Sequence, residues 1–415
     1  MDKTVVAHPQ VLCWLRESIL DSHVATFLAY LRGRGYARQT QHSYICAVAH
    51  FARWLSLEKA RFPDLNDQVV GRFLSVHLPH CSCPYPVLRT KHEIHAALRH
   101  LLAALLASGV IRQRQDADPI SLELTRFDNY MLHVRGLAIS TRRQRSLIIR
   151  KFLLAQRRDK HFEGGRISVN GVRAFVLSGY GKCSAGTVGV VGGALRCYLR
   201  YRALEGDNIE HLQEAVPSAA HWHLAGLPEL LSGQEVHTLL NSFRVLKCSP
   251  KRAYAMVRCL TDLGLRASEV VQLQLDGMDW EKGTIHLPMG KLRRGSILPL
   301  PERTGQAIVD YLRTERPRTS NRAVFVRHVA PYDVPIGPGV VRRAVREAYQ
   351  RCGLAHSRVH ILRHSMASML LSQGAPLKEI ADVLRHRSLD TSMIYTKIDL
   401  RRLEAVALPW PGRQL

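Results

Sequence analysis

The sequence predicts a mainly α-helical protein with one small β-hairpin in its last part. Three observations carry this. Apolar residues recur at three- and four-residue spacing through most of the 415 positions, the mark of helices that bury one face. A two-helix segment near the start is repeated 101 residues later. Only Thr284 to Leu300 alternates around a basic turn as paired strands do.

In chain order, the helical spacing from Val24 to Leu55 breaks at Gly33 to Gly35 and restarts at Gln39-Thr40, which describes two helices joined by a tight turn. Phe127 to Leu154 repeats that plan, with Gly136, Thr141 and Phe152 each 101 positions after Gly35, Thr40 and Phe51. A further helix follows each copy and shares an Ala-Leu-Arg core, at Ala97-Leu98-Arg99 and Ala194-Leu195-Arg196. The front half therefore divides into helical units at 1–113 and 117–206. Residues 207–231 are polar and weakly periodic, contain Pro217, and read as a linker. Ser232-Gly233-Gln234-Glu235 is a capping box that opens the last domain, 232–415. Within it, Thr284–Pro288 and Ser296–Leu300 read as strands flanking Met289–Gly295.

Lys and Arg number 59 against 34 Asp and Glu, a formal charge of +25. A polyanion is the expected partner. Arg38, Arg142, Arg143 and Arg145 on the helical units, with Arg293 and Arg294 in the hairpin turn, are candidate phosphate contacts. No apolar run approaches the ~20 residues needed to span a bilayer, so no membrane partner is expected. The start carries no basic segment leading into an apolar stretch, and nine scattered cysteines read as reduced thiols. Both point to the cytoplasm. His77, His80, Cys81 and Cys83 are metal-ligand types within seven residues. Adjacent ligands at 80 and 81 and a one-residue Cys spacing suit a tetrahedron poorly, so no metal site is assigned.

The residues with chemical potential lie in the last third. Arg266 follows Gly264 in a turn before a helix that holds Glu269. His360-Ile361-Leu362-Arg363-His364 opens a helix in which His360 and Arg363, three apart, share one face. Pro376 starts another helix, which ends at His386. Asp390 can cap the short helix holding Tyr395.

Arg266, a basic hairpin at Lys291, His360-x-x-Arg363, His386 and Tyr395, in that order, resemble the signature of the tyrosine recombinases, the family of phage integrases and Xer enzymes. The similarity runs through Leu362-Arg363-His364-Ser365, Leu371-Ser372-Gln373-Gly374-Ala375 and Ile394-Tyr395-Thr396. It implies a tyrosine-recombinase catalytic domain behind two core-binding-like helical units. Two departures stand out: Arg385 occupies the position before the last histidine where the family commonly has Gly, and Gly290-Lys291-Leu292-Arg293-Arg294 replaces the usual Gly-Lys-Gly-x-Lys turn. Lys282 is the fallback if the hairpin is shifted.

The resemblance implies that Arg266 and Arg363 clamp a scissile phosphate, with Glu269 buttressing the first. Lys291 would protonate the leaving 5′ oxygen, His386 donate to a non-bridging oxygen, and Tyr395 attack from the lip of the pocket with His360 taking its proton. It implies double-stranded DNA as partner, a 3′-phosphotyrosyl intermediate, a Holliday junction and no cofactor. It further implies a synaptic tetramer, possible sister recombinases, and a mobile-element role. The apolar tail Leu400, Leu403, Val406, Leu408 and Trp410 is a candidate for docking on a neighbour or on its own domain. A catalytically silent DNA-binding relative and a topoisomerase IB-like enzyme are the rival readings.

Overall fold

The computed structural model describes residues 8–62, 65–85, 87–111, 118–156, 167–218, 227–246, 248–287, 295–386, 388 and 391–398. The chain packs as two compact units, Met1–Gln113 with Gly226–Leu415 and Arg114–Ala225. The sequence pattern separates 1–113 from the last domain, whereas packing groups them. Gly35 illustrates why: a Cβ there would meet the Tyr332 ring at 3.0 Å, a contact between distant segments that no local period encodes.

The first unit opens with α1 (Pro9–Arg16), α2 (Val24–Gly33), α3 (Arg38–Leu57), α4 (Asp67–Arg72) and α5 (Lys91–Ala107). Phe27, Leu31, Phe51, Phe73, Leu98 and Leu101 form a continuous buried cluster. The α2–α3 turn rests on Gly35 at φ 75°, a conformation open to glycine at no steric cost.

The second unit holds α6 (Pro119–His133), α7 (Ile139–Gln156), α8 (Val169–Tyr180) and α9 (Ala185–Leu204). Its turn uses Gly136 at φ 58°, and Phe127, Met131, Phe152, Leu195 and Tyr198 fill its core. The packed unit runs past Gly206, because a 3₁₀ turn at Glu210–Gln213 delivers Ile209, Leu212 and Val216 into that core. Four residues of 3₁₀ helix are too short to leave a helical period, which is why the stretch reads as a linker.

The remainder of the first unit is a helical layer with a small sheet: α10 (Gly233–Asn241), α11 (Pro250–Asp262), α12 (Ala267–Val270), β1 (Met278–Asp279), β2 (Thr284–Leu287), β3 (Ser296–Pro299), α13 (Glu302–Thr314), α14 (Pro338–Arg351), α15 (His360–Ser372) and α16 (Leu377–Leu384). The capping box at Ser232 and Glu235 is formed. β2 pairs antiparallel with β3, His286 opposite Ile297, and β1 adds a third strand that two residues could not announce by alternation. α11 is the buried spine, with Ala255, Met256, Val257, Cys259 and Leu260 in the core. Among the described residues no helix is long and apolar enough to cross a membrane.

Candidate active site

Gly264 sets the site up. At φ 57° it turns the chain out of α11, and a Cβ there would lie 2.8 Å from Leu384 Cδ2. Arg266 follows as the N-cap of α12, where Glu269 holds it twice: Oε2 accepts the Arg266 backbone N–H at 2.8 Å and Oε1 accepts from its guanidinium at 2.8 Å. The Arg266 side chain remains 37% exposed. Arg363, on the buried side of α15, donates to the backbone carbonyls of Gly264 and Leu384, so it ties the α12 turn to the end of α16.

Arg385 ends α16 in the left-handed conformation, φ 54°. That geometry suits glycine and costs a side-chain-bearing residue roughly 1 kcal/mol. The side chain offsets the cost by donating to Glu269 Oε2 at 2.7 Å. The resulting cluster holds three guanidiniums, those of Arg266, Arg363 and Arg385, against one carboxylate. Burial, Arg266 and Arg385 push the Arg363 pKa down to about 9, so a cation is held among cations and an arriving anion relieves it. Burial favours protonation of Glu269, but the Arg266 N–H and the Arg385 and Arg266 guanidiniums outweigh it and keep the carboxyl below its usual range.

His386 follows Arg385 directly, and its Nδ1 lies 2.6 Å from Ser392 Oγ. Burial, then Arg363 and Arg266, push its pKa down to about 4, so the ring is neutral at neutral pH. His360, at the start of α15, is likewise held below its usual range by burial and by Arg363, Arg266 and Arg342.

Tyr395 lies in the 3₁₀ helix Met393–Ile398, its ring parallel to that of His386 at 12° and 6.3 Å. It is 1% exposed and packs with Met366, Leu371, Ile380 and Leu384, so it stands behind the pocket and not at its lip. Its hydroxyl is 2.9 Å from Nδ1 of His364, which replaces His360 as the partner of the phenol. The two histidines lie on one face of α15, about 40° apart, and His364 sits one turn further along, about 6 Å, at the level of the Tyr395 hydroxyl. Burial, then the neighbouring His360 and Arg363, hold His364 below its usual pKa. In the Nε2–H tautomer its Nδ1 accepts a hydrogen bond from the phenol. Burial raises the Tyr395 pKa, while Arg363 and Arg266 oppose that rise.

Thus Arg266, Glu269, His360, Arg363, His386 and Tyr395 share one neighbourhood. Lys291, Arg293, Arg294, Asp390 and the tail from Leu400 to Trp410 lie outside the described residues. Lys282, on the β1–β2 turn, is 79% exposed and pairs with Asp279 at 3.5 Å. Of the proposed phosphate contacts, Arg38 and Arg143 are exposed and Arg145 is half-buried. Arg142 departs from expectation: α6 packs along α7, and Asp128 takes the Arg142 guanidinium in an ion pair that leaves its side chain 12% exposed.

Comparison with known proteins gives this geometry a context. The profile of the phage integrase family matches residues 229–402. The Sinorhizobium fredii protein y4rA, named as an integrase/recombinase, is 34% identical over 396 residues, covering 94% of this chain and 94% of that protein. The chain belongs to the tyrosine recombinase family. It is a DNA strand-transferring recombinase. The tyrosine recombinase XerA of Pyrococcus furiosus is 26% identical over 281 residues, 68% of this recombinase and 91% of XerA. Two solved structures share the fold. XerH bound to palindromic difH covers 81% of this chain and 93% of its own at 19% identity and TM-score 0.53. A lambda integrase dimer bound to a COC′ core site covers 71% and 98% at 15% identity and TM-score 0.52.

Sequence reading of this recombinase missed two participants. His364 was visible only as the neighbour of Arg363, with no pattern linking it to a residue 31 positions away. Arg385 stood out as a departure from glycine, and the signal to follow was Glu269, an acid with two basic partners within reach.

Proposed function

We propose that this recombinase cleaves and rejoins duplex DNA at specific sites through a 3′-phosphotyrosyl link on Tyr395. The observation that carries the reading is the pocket's charge: three guanidiniums against one carboxylate leave two positive charges beside the phenol. A phosphodiester carries one negative charge, and its pentacoordinate transition state gathers a second. Arg266 and Arg363 would supply the donors that strengthen as that charge grows.

The Tyr395 oxygen attacks phosphorus, the bond to the 5′ oxygen breaks, and Lys291 gives that oxygen a proton, leaving a free 5′ hydroxyl. His364 or His360 takes the phenol proton. His386 is neutral and donates to a non-bridging oxygen. Because one ester replaces another, neither ATP nor a metal enters the balance. Tyr395 must leave its packed position to meet the phosphate, and the short 3₁₀ segment after Ser392 is the element that moves. Attack by a 5′ hydroxyl of another strand exchanges partners, and two rounds pass through a Holliday junction.

The helical parts 1–113 and 117–206 hold the duplex through phosphate contacts from Arg38, Arg143 and Arg145, as the surplus of +25 supports. Four chains form the synaptic assembly, and integration or excision of a mobile element is the biological role.

The test uses nicked suicide duplexes cut from the DNA flanking the gene. The native chain should form a covalent adduct that survives denaturing electrophoresis and disappears in Tyr395→Phe. Arg266→Lys or Arg363→Lys should lower its rate by about 100-fold or more. DNA binding without an adduct would return the chain to a silent DNA-binding relative. Relaxation of a two-site plasmid without reordering would favour the topoisomerase-like reading.

A further inference from the structure

Four side chains unrelated to the pocket meet in the first helical part: His50, His77, Cys81 and Cys83. His50 comes from the middle of α3 and is fully buried. His77 closes a π-helical turn, Phe73–His77, that continues α4. Cys81 and Cys83 follow a 3₁₀ turn at Leu78–His80, and both thiols are free. Their donor atoms all lie within 4.8 Å of one another.

Three of the separations match the edges of a coordination tetrahedron. Zinc bonds of about 2.0–2.1 Å to nitrogen and 2.3 Å to sulfur require edges of roughly 3.3 Å between nitrogens and 3.5 Å between nitrogen and sulfur. The two histidine Nε2 atoms are 3.3 Å apart. His50 Nε2 is 3.2 Å from Cys81 Sγ, and His77 Nε2 is 3.7 Å from Cys83 Sγ. Both rings present the same nitrogen, and all four donor atoms face one another within 4.8 Å.

The surroundings fit a partly buried metal, with His50 and Cys81 buried and His77 and Cys83 half-buried. Two thiolates neutralise a divalent cation, leaving an assembly without net charge, which burial tolerates. The Cys83 backbone N–H donates to Cys81 Sγ at 3.3 Å, a contact that favours the thiolate. Phe73 lies edge-on to His50 and stacks on His77, while Trp54 is 6.2 Å from the His77 ring. The objections raised by the sequence fall away. His80, adjacent to Cys81, is not one of the four, and its place is taken by His50 from 31 positions upstream of Cys81. Side chains two apart in an extended segment share one side, so Cys81 and Cys83 reach a common point.

We propose that His50, His77, Cys81 and Cys83 bind one zinc ion in a closed structural site that staples residues 77–83 to α3. Four protein ligands leave no open position, and the Cys₂His₂ set selects zinc over oxygen-seeking cations.

The full chain, purified without chelator, should contain about one zinc per chain by elemental analysis. His80→Ala and Cys183→Ser, which leave the four ligands intact, should keep it. The double variant Cys81→Ser/Cys83→Ser and His50→Asn should each retain less than about a tenth. Cobalt(II) exchanged into the native chain should give a thiolate-to-cobalt charge-transfer band with tetrahedral visible bands, a readout independent of how well any variant folds. Chelator should lower the unfolding temperature of the native chain and not that of the double variant. A folded native chain that takes up less than about a tenth of an equivalent after zinc reconstitution overturns the proposal. So does a cobalt spectrum without the thiolate band, or a Cys81–Cys83 disulfide in the reduced preparation. None of these readouts depends on DNA cleavage.

Discussion

In the first helical part, Leu101 and Leu105 of α5 fill a hydrocarbon core. At the matching positions of α9, counted from the shared Ala-Leu-Arg, the second part has Tyr198 and Arg202, which close on the buried carboxylate of Glu123. The Tyr198 hydroxyl donates to Glu123 Oε1 at 2.8 Å, and the Arg202 guanidinium is 3.2 Å from the same oxygen. The contrast runs the other way at α3 and α7: buried His50 belongs to the His/Cys cluster, whereas Lys151, 101 positions later, is exposed. One helical plan thus carries two kinds of internal fastening. A helix bundle constrains volume and register at its core positions, and leaves the chemistry of the fastening open wherever every buried polar group finds a partner.

That comparison can be broken first at the residues the two parts share. Phe51 and Phe152 are both fully buried, so Phe51→Ala and Phe152→Ala should each cost about 3–5 kcal/mol. Urea unfolding read by region-resolved hydrogen exchange checks this, and a cost confined to one part would refute the common plan.

The fastening of the second part comes next. Glu123→Ala strands the buried Tyr198 hydroxyl and leaves Arg202 only its 2.6 Å pair with Asp207, and should cost roughly 2–4 kcal/mol. Replacing Glu123, Tyr198 and Arg202 together by leucine should cost less than the single change, since an apolar set often substitutes for a buried ion pair. Denaturant midpoints of the two variants decide it, and a costlier triple variant would mean that the second core requires its ionic chemistry.

The turns separate the two parts more finely. Gly35 and Gly136 both have positive φ, so alanine at either should cost about 1 kcal/mol. Only at Gly35 would the added carbon also press on Tyr332, so Gly35→Ala should show the larger drop in thermal midpoint. Equal drops would remove Tyr332 from the account.

Acid gives the smallest effect. His100, whose Nε2 lies 2.9 Å from the Tyr36 hydroxyl, is held below its usual pKa by burial and by Arg34, Arg99 and Arg327. Its folded pKa is depressed, so the neutral ring favours the fold above pH about 6.5, and that contribution fades as pH falls through the folded value. Amide protection in α5, corrected for intrinsic exchange, should therefore weaken below pH about 6.5. α9 carries no histidine, and its protection should change less.

The helices, the glycine turns and the hairpin were legible because each is a local pattern: a period, a positive-φ residue, or alternation around a turn. The order Arg266, His360, Arg363, His386 and Tyr395 was legible as a family signature. The side on which Tyr395 packs was not, because a 3₁₀ turn of six residues leaves its facing to the surfaces of α15 and α16. Nor was the ion pair that removes Arg142 from solvent, since an arginine on a charged helix looks the same whether its partner is water or Asp128.

Taken alone, the order of residues determined which segments are helical, that one copy of a two-helix plan follows another, and which side chains make up the family signature. Those properties depend on neighbours within a few positions or on residue type. Packing alone decided that His364 holds the Tyr395 hydroxyl, that Glu269 joins Arg266 to Arg385, and that His50 replaces His80 beside the two cysteines. Each pairs residues whose meeting depends on how helices rotate and cross, and side-chain contacts a few ångströms long are set by that rotation rather than by any spacing along the chain.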